Sequence, residues 1–401
     1  MHRLSNPVRP YPWGSTSAIS ALLGIPDDGE PKAELWLGAH PDSPSLLPDG
    51  TGLDAAIAAD PAHLVGPSVQ ATFGPRLPYL LKVLSAAAPL SLQVHPNSEQ
   101  AAAGFADEQD REIPQDADFR RYRDPFHKPE MVIALEPFDA LCGLRDPART
   151  AELLAGLDVE HPSWLDLREL VSGSPADAAL RRTVTWLLGG DEHIPSLVRA
   201  VAAAAVARPD RPEYATTAAL ADAYPGDPGV LVALLLNRVR LAPGEALFLP
   251  AGNIHSHLHG TAVEVMASSD NVLRAGLTNK HVDAAELVRI TDFTPRPIPV
   301  VVPERDGPVL MYRPGAAEFE LAYVTLAALD GQDWHELPVA GPRILLVLDG
   351  ELEVAVGSDA PGGERTIEEV GRGTSLFVPA QSGALAVRGI GTVVVAGVPA
   401  T

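Results

Sequence analysis

Strands grouped into two related β-barrels, with a helical insertion in the first, are what this sequence implies, making the chain mainly β. Three observations point there. Short apolar runs broken by Pro and Gly occupy residues 1–146 and the chain beyond 236, a texture typical of strands joined by turns. Between them the composition shifts to Ala- and Leu-rich stretches with helix start and stop signals. A motif also repeats. Gly244-EALFLPA is echoed by Gly373-TSLFVPA, and ten residues past each Pro stands another Gly, Gly260 and Gly389. Two copies of one supersecondary unit suggest two barrels of common design. A length of 401 residues is also long for a single core. The expected domains are 1–146 with 236–289 as the first barrel, 147–235 as the helical insertion, and 290–401 as the second barrel.

The elements follow in chain order. YLLKVLSAAAPLSLQVHP (79–96) predicts two strands with a small-residue link, and EMVIALEPF (130–138) predicts another. SPADAALRRTVTWLLGG predicts a helix capped by Ser174, with Pro175 at its first position, Asp177 in the first turn and a Gly stop. PSLVRAVAAAAVARP is helical by propensity. DPGVLVALLLNRV predicts a last helix before strands resume with ALFLP and the alternating TAVEVMA. RILLVLDGELEVAVG predicts two strands joined by an Asp-Gly turn.

Charge narrows the function. A net charge of −22 argues against nucleic acid or an anionic membrane as partner. No run approaches the roughly 20 apolar residues that cross a bilayer, and the N-terminal MHRLSNPVRPYPWGS lacks a signal peptide's apolar stretch. The single cysteine, Cys142, permits no internal disulfide and no cysteine-rich zinc site. A cytoplasmic setting is expected. Arginine carries nearly all the basic charge; the only lysines are Lys32, Lys82, Lys128 and Lys280. A lysine kept against that bias suggests a need for a compact ammonium.

PAGNIHSHLHG places His255, His257 and His259 two apart among strands, so the three are expected to share a face. In the second copy of the motif the matching positions are Ala384, Ala386 and Arg388. The imidazoles are therefore not demanded by the fold, and the second barrel is expected to hold no metal. Gln93 and His95 are also two apart, and Glu130 opens a strand just after His127 and Lys128. One site built from Gln93, His95, Glu130 and His255 uses all three segments. Two imidazoles, a carboxylate and an amide oxygen suit a divalent Lewis acid, with zinc the default and manganese, iron or cobalt compatible. The competing reading makes these histidines surface groups or hydrogen-bonded core groups.

Gly244-x5-Pro250-x-Gly252-x2-His255 resembles the second histidine motif of the cupin superfamily. YPWGS, AELWLGAHPDSPS, LPYLLKVLSAAAPLSLQVHPN, DPFHKPEM, PAGNIHSHLHG and SSDNVLRAGLTNKH together resemble the type I mannose-6-phosphate isomerase family, in family order and across essentially the whole chain. That resemblance implies two cupin-type jelly-roll barrels, the first carrying one zinc ion on Gln93, His95, Glu130 and His255. It marks Arg274 as the catalytic arginine, the alternative being a plain salt bridge with Asp270. It places Lys82, Ser91, Lys128, Glu264, Asp270 and Lys280 near the pocket, which accounts for three of the four lysines. His257 stands where many members carry Tyr and is expected to face the pocket. Asn253 and Ile254, and Pro10 and Pro12 around Tyr11, also depart from commoner residues and affect the pocket's detailed shape. The implied reaction interconverts mannose 6-phosphate and fructose 6-phosphate through a cis-enediol, by a monomer or weak oligomer. Glu264, Lys128 and His257 compete as general base. The rival reading is a non-catalytic cupin whose metal only orders a sugar ligand.

Overall fold

Alternation decides which side chains can reach the interior, and the chain uses it throughout. The computed structural model describes residues 1–328, 331–357 and 365–400. Their architecture is mainly β, with two sheets and helices concentrated between residues 147 and 234. No helix among the described residues is long and apolar enough to cross a membrane.

One strand organises the first sheet. His255–Ala267 pairs along its later half with Tyr79–Ala86 on one side and Glu130–Ala134 on the other. Its first residues pair instead with Leu92–Val94 and Phe138–Leu144. Leu273–Gly276 extends the first of these edges and Leu236–Leu241 the second. The strand thus belongs to both halves of the sheet, and Gly260 stands where it passes between them. Gly260 has φ 113°, and a Cβ there would lie 2.6 Å from the Pro137 carbonyl oxygen. Only a residue without a side chain permits that approach.

Apolar packing on two sides fixes the register. Leu92, Val94, Leu273 and Ala275 face outward and are buried against helices such as Ala176–Leu188 and Ile194–Val206. The residues between them, Gln93 and Arg274, consequently face the other way. On the second half, Leu81, Val83, Met131, Ile133, Val263 and Val265 pack against Tyr312, Phe319, Ile344 and Phe377 of the C-terminal sheet. Lys82, Glu130 and Glu264 then point into the space between the halves. A one-residue slip would bury these charges in the apolar layers, so the register is strongly specified. One end of that space is closed by Leu84, Val132, Ala134, Phe138, Leu247 and Leu249.

The C-terminal sheet repeats the design. Gly244 and Gly373, with φ of 83° and 81°, precede the strands Ala246–Leu249 and Ser375–Val378. Gly389, at φ 118°, occupies in Ala384–Val398 the place that Gly260 holds in its own strand; a Cβ there would lie 2.6 Å from the Glu351 carbonyl oxygen. The Tyr79 hydroxyl lies 3.0 Å from the carbonyls of both Pro342 and Ala396, tying the sheets together.

Several local expectations are corrected. Asp349-Gly350 is no hairpin turn but lies within the single strand Ala340–Gly357, which pairs with Ala384–Val398 on both sides of a bulge at Val347/Asp349. Gly350, at φ 81°, lets one strand bend where a turn was read. The helix Ala176–Leu188 has Pro175, not Ser174, at its N-cap, and no side-chain cap. Gly229–Leu234 is a helix of six residues, because Leu236–Leu241 is taken into the sheet. The strand from Glu130 ends at Ala134, and Phe138 opens the next. His259 does not share a face with His255 and His257. A register shift between His257 and His259 turns it outward, and it is exposed.

Gly260→Ala and Gly389→Ala should each cost about 1–3 kcal/mol in backbone strain, with the clash added. Gly307→Ala, at φ 55° with nothing near its Cβ, should cost less. Urea midpoints check this; equal losses at all three sites would contradict the close-approach argument.

Candidate metal centre and pocket

The strand pairing brings separated segments to one point. Gln93 lies directly between two partners in register, His255 on one strand and Arg274 on the other. His95 follows two residues later, on the same face as Gln93. Glu130 enters from the neighbouring strand, opposite Met266 and Leu249. His95, Glu130 and His255 are fully or almost fully buried.

The hydrogen bonds set the chemistry of this cluster. His95 Nδ1 donates to the Asn271 carbonyl at 2.7 Å, and His255 Nδ1 donates to the Asn253 carbonyl at 2.9 Å. Each imidazole is thereby fixed with its lone pair at Nε2. Those two atoms face the same carboxylate: His95 Nε2 is 3.3 Å from Glu130 Oε1, and His255 Nε2 is 3.2 Å from Glu130 Oε2. Neither His95 Nε2 nor Glu130 Oε2 has a hydrogen-bond partner, although both are buried. Lone pairs facing lone pairs in a dry interior suit a bound cation. The Gln93 amide stands 3.2 Å from His255 Nε2; half a turn brings its oxygen to the same place. The four residues therefore fit a divalent ion with nitrogen and oxygen donors. Protonation agrees with this. Burial holds the His95 imidazole below its ordinary value, despite Glu130. Burial pushes the Glu130 carboxyl up, but His95, Lys128 and the His255 contact outweigh it and hold it well below.

A second buried network lies beside the first. Lys82 Nζ is 3.4 Å from Glu264 Oε2 and 3.6 Å from Glu34 Oε2, with its ammonium 4.9 Å from the Trp36 ring. Trp36 Nε1 donates to Glu34 at 2.6 Å, and His257 Nε2 is 3.3 Å from Glu264 Oε1. Burial acts to deprotonate Lys82, but Glu34 and then Glu264 hold its pKa above the ordinary value. Burial pushes Glu264 up, while Lys82 and His257 keep it below. Glu264 is thus a fixed anion. Lys128 Nζ, by contrast, lies 3.4 Å from Glu130 Oε1, against the metal cluster.

The rim is cationic. Neither Arg274 nor Lys280 has a carboxylate within ion-pair distance among the described residues. Asp270 turns instead to His40, whose Nε2 is 3.3 Å from Asp270 Oδ2, so the plain Arg274–Asp270 salt bridge is not formed. Burial and then Arg123 hold the Arg274 guanidinium below its ordinary value. Arg274 itself is the main cause of the lowered Lys280 pKa. Three cations that repel one another in a strongly acidic protein mark a place for an anion. Lys280 is exposed beyond the strand of Arg274, and Ser91 is half-buried two residues before Gln93.

Sequence reasoning missed Arg123, Trp36, His40 and Asn271. Asn271 holds the segment before Lys128: its Oδ1 accepts from Arg123 N at 2.8 Å, and its Nδ2 donates to the Asp124 and Phe126 carbonyls at 2.7 and 2.8 Å. The SSDN block contained that signal, but its partners are more than 140 positions away. His40 Nδ1 accepts from Asp42 N at 3.3 Å, leaving Nε2–H to serve Asp270.

Burial raises the Asp270 carboxyl, and the His40 hydrogen bond is the largest of the effects that hold it below its ordinary value. His40→Ala should therefore shift Asp270 titration upward in carboxyl-carbon NMR. The stabilisation from this pair is full above the ordinary carboxylate range and is lost as pH falls through the depressed value. An unmoved Asp270 titration would mean that the pair is not formed in solution.

Comparison with known proteins places the chain in a family. Residues 1–147 match a sequence model described as phosphomannose isomerase type I, catalytic domain. The mannose-6-phosphate isomerase of Escherichia coli (strain K12) is 41% identical over 302 residues, covering 74% of this chain and 76% of that protein. That of Emericella nidulans is 32% identical over 437 residues, covering 95% and 91%. A crystal structure of the mannose 6-phosphate isomerase from Salmonella typhimurium, bound to substrate (f6p) and zinc, superimposes with a TM-score of 0.87 at 35% identity, covering 100% of both chains. With these relatives matched over most of its length, the chain belongs to the mannose-6-phosphate isomerase family.

Proposed function

We propose that the chain interconverts mannose 6-phosphate and fructose 6-phosphate by moving a proton between C1 and C2 through a cis-enediol. One observation supports this most. A buried acceptor cluster that suits a cation (His95, Glu130, His255) lies next to a rim of cations without acid partners (Arg274, Lys280, Arg123). In this reading Gln93, His95, Glu130 and His255 hold one zinc ion. Zinc bound there supplies a Lewis acid that polarises the sugar oxygens taking part in the reaction.

The chain's own residues do the rest. Arg274, projecting beside Gln93, neutralises negative charge that develops on the substrate oxygens, as a fixed cation with a donor fork. Lys280 and Arg123 anchor the phosphate, and binding that remote group positions the reacting carbons. In this reading Lys128, reacting as the free amine, takes the proton from C2 of the aldose and returns it to C1, while the hydroxyl proton passes from O2 to O1 across the cis-enediol. Glu264 acts as the anion that fixes Lys82 and His257, so these two, with Ser91 and Asp270, present ordered donors and acceptors to the sugar hydroxyls. A non-catalytic sugar-binding role leaves Lys128 without a proton to carry, and the family to which the chain belongs favours the isomerase. The protein is read as two cupin-type jelly-roll barrels. The first combines 1–146 and 236–289 and carries the zinc; the helical unit is 147–235, and the second, metal-free barrel is 290–401. It acts on a small phosphorylated sugar in the cytoplasm, as a monomer or weak oligomer, without nucleic acid or membrane.

A coupled assay for fructose 6-phosphate tests the reading. Turnover of mannose 6-phosphate should vanish on chelation and return with zinc; full turnover in the metal-stripped protein would contradict it. Arg274→Ala should lower kcat about 10²–10³-fold, the scale of removing one charge-stabilising donor, with zinc content unchanged. Loss of zinc in that variant would make Arg274 structural.

A further inference from the structure

Beside the site, a polar contact joins the C-terminal sheet to the segment that carries Lys128. His127, immediately before Lys128, places its Nε2 2.6 Å from Glu318 Oε1. Glu318 precedes the strand Glu320–Leu326 of the C-terminal sheet and is buried, as is its neighbour Phe319 in the core between the sheets. Burial pushes its carboxyl up, but the His127 contact, and more weakly Arg76, hold it below the ordinary value. Its other oxygen, Oε2, is buried with no hydrogen bond. Apart from its own backbone, His127 is the group that hydrogen-bonds this carboxylate among the described residues.

The segment between Asp124 and Glu130 explains why that link matters. Lys128 precedes Pro129, which confines its backbone to the extended region, so adjacent side chains point to opposite faces. His127 turns to the C-terminal sheet while Lys128 turns inward to Glu130. On the inner side the segment is pinned by Asn271 and Ser269 to the Phe126 carbonyl, and by Ala267 N to the Pro129 carbonyl at 3.0 Å. The Arg76 guanidinium stacks on Phe126 at 3.7 Å. Glu318 is the charged pin on the outer side. With the backbone torsions of Lys128 restricted, the position of its ammonium depends on where these pins hold residues 126–129.

We propose that Glu318 is a positioning residue for the isomerase reaction, holding His127 so that Lys128 stands correctly in the site. The C-terminal unit thereby contributes to turnover without touching substrate. The inference rests on the reading of Lys128 as the proton carrier. A misplacement of about 1 Å costs up to about 10²-fold in rate, which sets the expected scale.

The test compares Glu318→Ala, Glu318→Gln, His127→Ala, the Glu318→Ala/His127→Ala double variant and Lys128→Ala as zinc-loaded full-length proteins. Glu318→Ala should lower kcat about 10- to 100-fold with KM changed far less and zinc content unchanged. Glu318→Gln should recover most of the loss, because its amide oxygen still accepts from His127. His127→Ala, a partly exposed side chain whose removal threatens the fold least, should match Glu318→Ala, and the double variant should be no worse than either single one. A lowered Tm with wild-type kcat in both single variants, or losses that multiply in the double variant, would overturn the proposal. Wild-type turnover in Lys128→Ala would instead overturn the reading beneath it, so the two failures are distinguishable.

Discussion

The strand His255–Ala267 is shared by the two halves of the first sheet, and the site exists because one continuous backbone passes between them. His255 at its start is in register with Gln93, and Glu264 further along is in register with Lys82. Gly260 lies between, pressed so closely on the Pro137 carbonyl that no side chain fits. Helices packed on Leu92, Val94 and Leu273, and the C-terminal sheet packed on Val263 and Val265, clamp the strand from outside. With the outer faces committed, His255, Glu264, Gln93, Lys82 and Glu130 have only the interior to occupy. Metal ligands and pocket residues are thus positioned by apolar packing that they do not take part in.

Placing so many ionisable groups in a dry interior is costly unless each has a partner. The chain divides the problem. Lys82, Glu34, Glu264 and Trp36 satisfy one another, and His257 joins them through Nε2 while its buried Nδ1 has no hydrogen-bond partner among the described residues. His95, Glu130 and His255 do not, because the Asn271 and Asn253 carbonyls take the protons that could have joined them. One network is largely paired within itself, and the other is left wanting a cation. Arg274 and Lys280 are likewise left without acid partners among the described residues, in a chain whose net charge is −22. The unmet needs, for positive charge at one point and for negative charge at its rim, fit the metal and phosphate of the proposed reaction.

Much of this was readable before folding was considered. The two-residue spacing of Gln93 and His95 put both on one face, and the Gly244 and Gly373 echo announced two copies of one strand unit. The bias against lysine singled out Lys32, Lys82, Lys128 and Lys280, of which Lys32 pairs with Asp28 away from the site. What escaped the sequence shares a physical cause. His259 was expected beside His255, but a bulge reversed its direction, and a bulge leaves no mark in a two-residue period. Asp349-Gly350 has the composition of a turn, and pairing with Ala384–Val398 along its whole length made it a bend in one strand. His40, Trp36, Arg123 and Glu318 carry no local pattern. Their roles come mainly from partners between 46 and 230 positions away, from Lys82 over the Trp36 ring to Asp270 beside His40, contacts that only the completed fold creates.

The central claim is that two imidazoles, not three, meet the metal, although three histidines stand in one short run. X-ray absorption at the zinc edge of the purified protein tests this most directly. The account predicts a shell of nitrogen and oxygen donors at about 2.0–2.2 Å, with outer scattering from two imidazoles and the same spectrum in His257→Ala. Three imidazoles in the native protein, or the loss of one on removing His257, would contradict it.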